Sequence, residues 1–296
     1  MHDLKQQGPC VLTIGQFDGV HLGHQRIFSG LRALAQKMGL PSAIWTFTNL
    51  STKSPHSKLN HPLLQQRLLE NEKIDQLFLM EFNADISNME AAVFLQKVLL
   101  EKLQIRGIVL GQTARLGKDR TCTAVQFVKL AQAADLATEI VEMEALNGIQ
   151  VSSSVIREHI LNNRLEAAEQ CLGRPYAMGG IVVQDQMKAR GLGYPTANII
   201  IDEYCHPPHG VYSCLALVDE KKIPAIAYIG SRPTMIEGGR TVLEVHIPHW
   251  SGNLYGHHLF VESLRWIRGE KHFASTTELC QQIAADLKIM AATHRQ

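Results

Sequence analysis

With 296 residues, 45% of them apolar and 19% charged, the chain is long enough for two packed cores and carries no disorder signature. Its 29 Lys and Arg against 28 Asp and Glu leave a net charge of +1, which argues against a nucleic acid or an anionic membrane as the main partner, since neither would be drawn in over long range. The six cysteines are scattered without a CxxC pair, the opening Met1-His2-Asp3-Leu4-Lys5 is polar, and no run approaches the roughly 18 apolar residues of a membrane span, so a reduced, cytoplasmic protein is expected.

Along the first half, strand and helix rhythms alternate. Val11–Ile14 reads as a strand; Ile27, Leu31, Leu34 and Met38 then recur at helical spacing until Gly39 and Pro41 close the helix. Ala43–Phe47 and Leu77–Phe82 read as strands, and Ser87-Asn88-Met89-Glu90 has the form of a capping box opening a helix to about Leu103. Gly107–Leu110 is a strand, Ala124–Ala134 a helix and Ala137–Met143 a strand. Strands separated by helices imply parallel pairing with right-handed crossovers, hence a Rossmann-like α/β sheet. After Gln150, Ser152–Ser154 offer cap oxygens, Leu165–Leu172 is helical, and Gly173 with Pro175 stops it.

A boundary is therefore expected near residue 172, giving domains 1–172 and 173–296. Beyond it Gly180–Val183, Val211–Val218, Ile223–Ile229, Thr241–Ile247 and Leu259–Ser263 are short β-rich runs split by Gly, Pro and Asn, the pattern of an antiparallel sandwich or barrel. Leu279, Ile283, Leu287 and Met290 mark a final amphipathic helix.

The first candidate site is Gly15-Gln16-Phe17-Asp18-Gly19-Val20-His21-Leu22-Gly23-His24, at the carboxyl end of the first strand, where α/β sheets bind ligands. Its glycines let backbone approach a ligand, and two histidines beside a helix N-terminus suit a triphosphate. These residues resemble the HxGH nucleotidyltransferases, and the whole GxFDGxHxGH form is similar to the adenylyltransferase module of bacterial bifunctional riboflavin kinase/FMN adenylyltransferases. The resemblance implies that Gly15, Phe17, Asp18, His21 and His24 bind ATP, and that Ser153, Ser154 and Arg157, in a stretch similar to that family's ISSTxIR, close the same site. Two stretches depart from the family. In Gly111–Cys122, Thr113 replaces an acidic residue, Ala114 and Leu116 replace aromatics, and Cys122 replaces a glycine; Thr46-Phe47-Thr48-Asn49-Leu50 lacks the family's His and Pro residues.

The second half resembles the family's riboflavin kinase module. Leu192-Gly193-Tyr194-Pro195-Thr196-Ala197-Asn198 matches its LGxPTAN motif, followed in order by Gly210-Val211-Tyr212, Leu243-Glu244-Val245-His246 and Ile267-Arg268-Gly269-Glu270. The resemblance implies an antiparallel barrel in which Thr196 and Asn198 hold Mg²⁺, Arg190, Gly193, Pro195 and Arg268 contact ATP and flavin, and Glu244 is the catalytic base. Neutral oxygens suit a cation that keeps its waters and bridges phosphates. Strand alternation sets Glu244 with Val242 and His246, which by itself leaves a solvent-facing Glu open. Before the LGxPTAN match, Asp185 and Ala189 stand where the family has glycines. The His206/His209, His246/His249 and His257/His258 pairs are not expected to form a transition-metal site, which usually takes three protein ligands.

The expected function is thus phosphorylation of riboflavin to FMN and adenylylation of FMN to FAD, with ATP as co-substrate, Mg²⁺ as cofactor, and riboflavin, FMN and ATP as partners. The altered Gln112–Leu116 stretch keeps open a kinase whose first domain binds nucleotide alone. A non-enzymatic flavin or nucleotide sensor would not need Glu244. The sequence sets no oligomeric state.

Overall fold

Val11–Ile14 forms strand β1, and its first three residues are buried, as the middle of a parallel sheet requires. It belongs to the first of two units in a computed structural model that describes residues 8–47, 57–81, 83–146, 148–184, 193–219, 221–232 and 240–294. The first unit comprises Met1–Thr52 and Pro62–Ser153, the second Lys53–His61 and Ser154–Gln296.

In the first unit α1 (Leu22–Met38) returns the chain to β2 (Ser42–Phe47), and α2 (Pro62–Glu70) leads to β3 (Gln76–Met80). After α3 (Ala84–Ser87) and α4 (Ala91–Phe94) come β4 (Gly107–Gly111), the short β5 (Arg115–Leu116) and β6 (Cys122–Thr123), α5 (Ala124–Ala133) and β7 (Ala137–Val141). A two-residue ribbon, β8 (Ala145–Leu146) with β9 (Ile149–Gln150), follows. The main sheet has the order β3-β2-β1-β4-β7 and is parallel throughout, the Rossmann-like arrangement expected. The chain fills one side of β1 before crossing to the other, so the loops after β1 and β4 flank the switch point of the sheet.

The capping box at Ser87 does not form. Ser87 ends α3, its Oγ donating to the Ala84 carbonyl at 3.2 Å, while Asn83 caps that helix by accepting from the Ile86 N–H at 3.0 Å. Met89 is drawn away because its carbonyl accepts from the Lys118 N–H at 2.7 Å. The next helix starts from Glu90 without a side-chain cap and continues past Phe94 as a π-helix over Leu95–Leu100. A capping box exists instead at Thr123, which accepts from the Gln126 N–H while the Gln126 side chain reaches back.

The second unit opens within α6 (Ser153–Leu161) and includes α7 (Leu165–Leu172), which Gly173 ends in a left-handed conformation. Six strands follow: β10 (Ala177–Val183), β11 (Ala197–Ile200), β12 (Gly210–Val218), β13 (Lys221–Arg232), β14 (Arg240–His246) and β15 (His258–Arg268). They close into an antiparallel barrel in the order β10-β11-β14-β13-β12-β15. Two constraints help it close. A side chain at Gly179 would meet the Leu259 carbonyl and Phe260, and Ser263, at φ 54, sits where β15 bulges against β12. β11 lies in a stretch whose proline-led motif reads as a turn; four residues leave too little alternation to announce a strand. The terminal helix α8 (Thr276–Thr293) lays Leu287 and Met290 on Val211, Ile226, Tyr228 and Ile267.

Residues 57–61 also join this unit. Lys58 forms a parallel bridge with Tyr204, its ammonium 2.9 Å from Glu203, and the Cys205 N–H donates to the Lys58 carbonyl at 2.7 Å. His61 packs against the rings of Tyr204, His258 and Phe260. Among the described residues, no helix is long and apolar enough to cross a membrane.

Replacing Thr123 by Ala should cost about 1 kcal/mol in the unfolding transition of the first unit, as expected for a lost N-cap. Ser87→Ala should stay within about 0.5 kcal/mol, since its bond lies at an exposed helix end. Denaturant titration of the two variants measures the difference.

Candidate active sites

The loop between β1 and α1 is held in an unusual conformation by its own residues. Phe17 and Val20 both have positive φ, at 49° and 41°, and the Phe17 ring folds back over Gly15 so closely that a side chain there would lie 2.9 Å from it. Hydrogen bonds fix the loop to its surroundings: Gly15 N–H to the Trp45 carbonyl at 3.1 Å, Thr46 Oγ1 and Gln65 Nε2 to the Gln16 carbonyl at 3.1 and 2.6 Å, and Ser153 Oγ to the Asp18 carbonyl at 2.9 Å. Ser153 thus joins the expected set. Asp18 and His21 are buried, at 7% and 3% exposure.

His21 enters α1 with extended backbone, and its carbonyl accepts from the N–H groups of His24 and Gln25. One turn apart, the His21 and His24 rings stack at 3.6 Å between centroids, and Phe17 meets His24 edge-on at 5.3 Å. Two imidazoles beside the N-terminus of a seventeen-residue helix make a corner whose donors and dipole suit an anion. Ser154 and Arg157 lie on α6 in the second unit, where Arg157 donates to Ser154 Oγ at 3.2 Å and to the Ser57 carbonyl at 3.1 Å.

The departing stretch follows β4. Gln112 N–H donates to the Val141 carbonyl at 2.9 Å, and Thr113 Oγ1 lies 3.6 Å from the Met143 sulfur. Leu116 is buried in the core with Leu110 and Phe127, and Ala114 packs on the same cluster. Position 116 therefore faces the interior, and its lost aromatic ring bears on packing as well as on any flavin. Thr48-Asn49-Leu50 lies outside the described residues, as do Asp185, Ala189, Arg190 and Leu192.

In the barrel, strand pairing brings two of the expected residues together. The β11–β14 ladder sets Asn198 directly opposite Glu244, and the β13–β14 ladder sets Tyr228 opposite Glu244 on its other side. Asn198 is 7% exposed, and its Nδ2 donates to the Thr196 carbonyl at 3.3 Å, which turns the acceptor end of the amide away from that carbonyl. A buried amide oxygen, a threonine hydroxyl and a nearby carboxylate are hard oxygen donors, so the set fits a Mg²⁺ ion that keeps waters and takes substrate phosphates. Gly193 and Pro195 are exposed at the start of this turn.

Tyr228, Glu270 and Asp286 neighbour the expected residues without any motif to announce them as site residues. The Tyr228 hydroxyl donates to Glu270 at 2.7 Å, and burial, then that carboxylate and Glu244, push its phenol above the usual value. Arg268 is gripped by Asp286 of α8 through Nε at 3.0 Å and Nη2 at 2.8 Å, and its guanidinium lies 5.8 Å from the centre of the Phe273 ring. Asp286, 2% exposed, also accepts from Gln282 at 2.9 Å. Arg268 is thus a partly buried cation held by the terminal helix. Elsewhere, the His206 and His209 rings stack at 5.8 Å, with His206 Nδ1 2.8 Å from the Pro207 carbonyl.

A parallel sheet with an HxGH corner, followed by a closed barrel with a Thr-x-Asn turn against a strand glutamate, defines a two-domain nucleotide-using transferase. The family model described as FAD synthetase matches residues 3–155, and that described as riboflavin kinase matches residues 172–294. The chain belongs to the bifunctional riboflavin kinase/FMN adenylyltransferase family and carries both of its domains. The member from Escherichia coli (strain K12) is 32% identical over 97% of this chain and 94% of its own. That from Haemophilus influenzae is 33% identical over 96% and 94%. A crystal structure described as a macrolide-efflux protein from Streptococcus pneumoniae superposes with a TM-score of 0.82 at 28% identity, covering 97% of this chain and 95% of that one.

Asp286→Ala should destabilise the barrel by about 3 kcal/mol, the low end for a broken buried ion pair, because Arg268 retains some access to water. Denaturant unfolding of the second unit reads this directly.

Proposed function

We propose that the chain converts riboflavin and ATP to FMN and ADP in residues 173–296, and FMN and ATP to FAD and pyrophosphate in residues 1–172, in the cytoplasm. The observation that carries the reading is the pairing of Asn198 with Glu244, which sets the phosphate-facing turn against a carboxylate in one ladder. In the barrel, Glu244 takes the proton from the ribityl 5′-hydroxyl as that oxygen bonds to the γ-phosphorus of ATP and the bond to ADP breaks. Thr196 and Asn198 would hold Mg²⁺, which when bound neutralises charge on the ATP phosphates. Arg268, fixed by Asp286, presents a cation of set direction to the nucleotide or flavin; Gly193 and Pro195 begin the turn that carries Thr196, and Arg190 is proposed for the same binding role.

In the sheet domain, a phosphate oxygen of FMN attacks the α-phosphorus of ATP and pyrophosphate leaves. Gly15 and Phe17 shape the loop, Asp18 lies buried in it, and His21 and His24 bind the triphosphate beside the α1 N-terminus, with Ser153 holding the Asp18 carbonyl; Ser154 and Arg157 are proposed as further ATP-binding residues. Thr113 and Ala114 favour a second reading, in which this domain binds nucleotide but adenylylates slowly. The burial of Leu116 in the core removes one of that reading's supports.

Glu244→Gln should lower FMN formation by about 10²–10⁴-fold while riboflavin binding holds, as for loss of a positioned base. Turnover near the wild-type rate would remove Glu244 from that role. His24→Ala should abolish FAD formation from supplied FMN and spare FMN formation from riboflavin, scored by separating the two flavins chromatographically. Equal loss of both activities would contradict the division of labour between the domains.

A further inference from the structure

The turn that carries Thr196 and Asn198 is tied to β14 by more than the ladder. The β11–β14 pairing starts at Ala197, opposite Val245, and Pro195 has no N–H to extend it upstream. What lies there is a side-chain bond: Nδ1 of His246 is 2.8 Å from the Pro195 carbonyl. A carbonyl oxygen can only accept, so Nδ1 carries the proton. The Tyr194 ring meets the same imidazole edge-on, 5.5 Å between centroids at 75°. His246 stands two residues beyond Glu244, hence on the same side of β14. Continuing the register by one pair sets Thr196 opposite His246, as Asn198 is set opposite Glu244.

We propose that His246 is a positioning residue of the barrel site, holding Tyr194-Pro195-Thr196 against β14 so that the oxygens of Thr196 and Asn198 stand in fixed relation to Glu244. It touches no reacting atom in this role. One strand thereby supplies both the base and the clamp on the turn facing it, and a shift of the turn would move the cation-binding oxygens away from the base together. The inference rests on the kinase reading of the barrel, and the experiments separate the two.

In the full-length protein, a long-range proton–nitrogen spectrum of the imidazoles, with His246 assigned from its loss in His246→Asn, is expected to show a protonated Nδ1. An Nε2–H tautomer overturns the bond whatever the activity. His246→Leu removes the donor, whereas the side-chain amide of His246→Asn can reach the same carbonyl. Leu should raise the Mg²⁺ concentration for half-maximal FMN formation and the KM for ATP roughly two- to tenfold, the range for one lost hydrogen bond, with riboflavin affinity unchanged and Asn recovering most of the effect. Calorimetric titration of Mg-ADP against each full-length variant should give the same ordering without turnover. Unchanged Mg²⁺ dependence and Mg-ADP affinity in Leu, or equal losses in Leu and Asn, overturns the positioning role. If Leu fails to fold, the spectrum and the Asn variant, expected near wild type in both titrations, carry the decision. Absence of FMN formation by the wild-type chain would instead sink the kinase reading.

Discussion

The pairing of β11 with β14 is the constraint on which the kinase half depends. Only four residues long, β11 is held because the barrel is closed: with no free edge, a slip of one residue would have to propagate around every strand. That register sets Asn198 against Glu244 on one side and leaves Tyr228 as the neighbour on the other. From Tyr228 the order extends to Glu270, and the adjacent Arg268 extends it to Asp286 on α8. The terminal helix thus reaches the site through an ion pair, while its apolar face lies on β12 and β13.

The sheet domain reaches order by a different route. Non-glycine residues at positive φ cost on the order of 1–3 kcal/mol each, and the loop after β1 holds two of them. They persist because β2, Gln65 of α2 and Ser153 pin the loop at Gly15, Gln16 and Asp18, and because Phe17 fills the space above Gly15. The stacked histidines are therefore held in place by packing and hydrogen bonds of the domain itself.

Much of this was legible in the sequence. The parallel sheet followed from alternating periodicities, the end of α1 from Gly39, and both site motifs from residues close together in the chain. What stayed hidden depends on partners distant in sequence. Nothing around Asp286 announces Arg268, because a buried acid on an amphipathic helix reads as an ordinary polar position. Ser87 has the letters of a capping box, but Lys118 draws Met89 out of helical geometry, and Thr123 holds the box that forms. Leu116 reads as a missing flavin contact until the fold turns it inward. The alternation in β14 left the side of Glu244 open; in the fold Leu243 and Val245 take the core side, and Glu244, half-buried, shares the other with its cross-strand neighbours Asn198 and Tyr228.

The attachment of residues 57–61 to the second unit bears on how the protein is made. Lys58 leaves the ribosome 145 residues before its partner Glu203. At about 5–20 residues per second, that interval is roughly 7–30 s, long beside the microseconds to seconds in which small domains fold. The parallel sheet can therefore form while this strap still lacks its barrel strands, with Leu59 and His61 exposed to water and to chaperones. Completion of the barrel then gives this early segment its partners, so the last-synthesised half decides when a segment of the first becomes ordered.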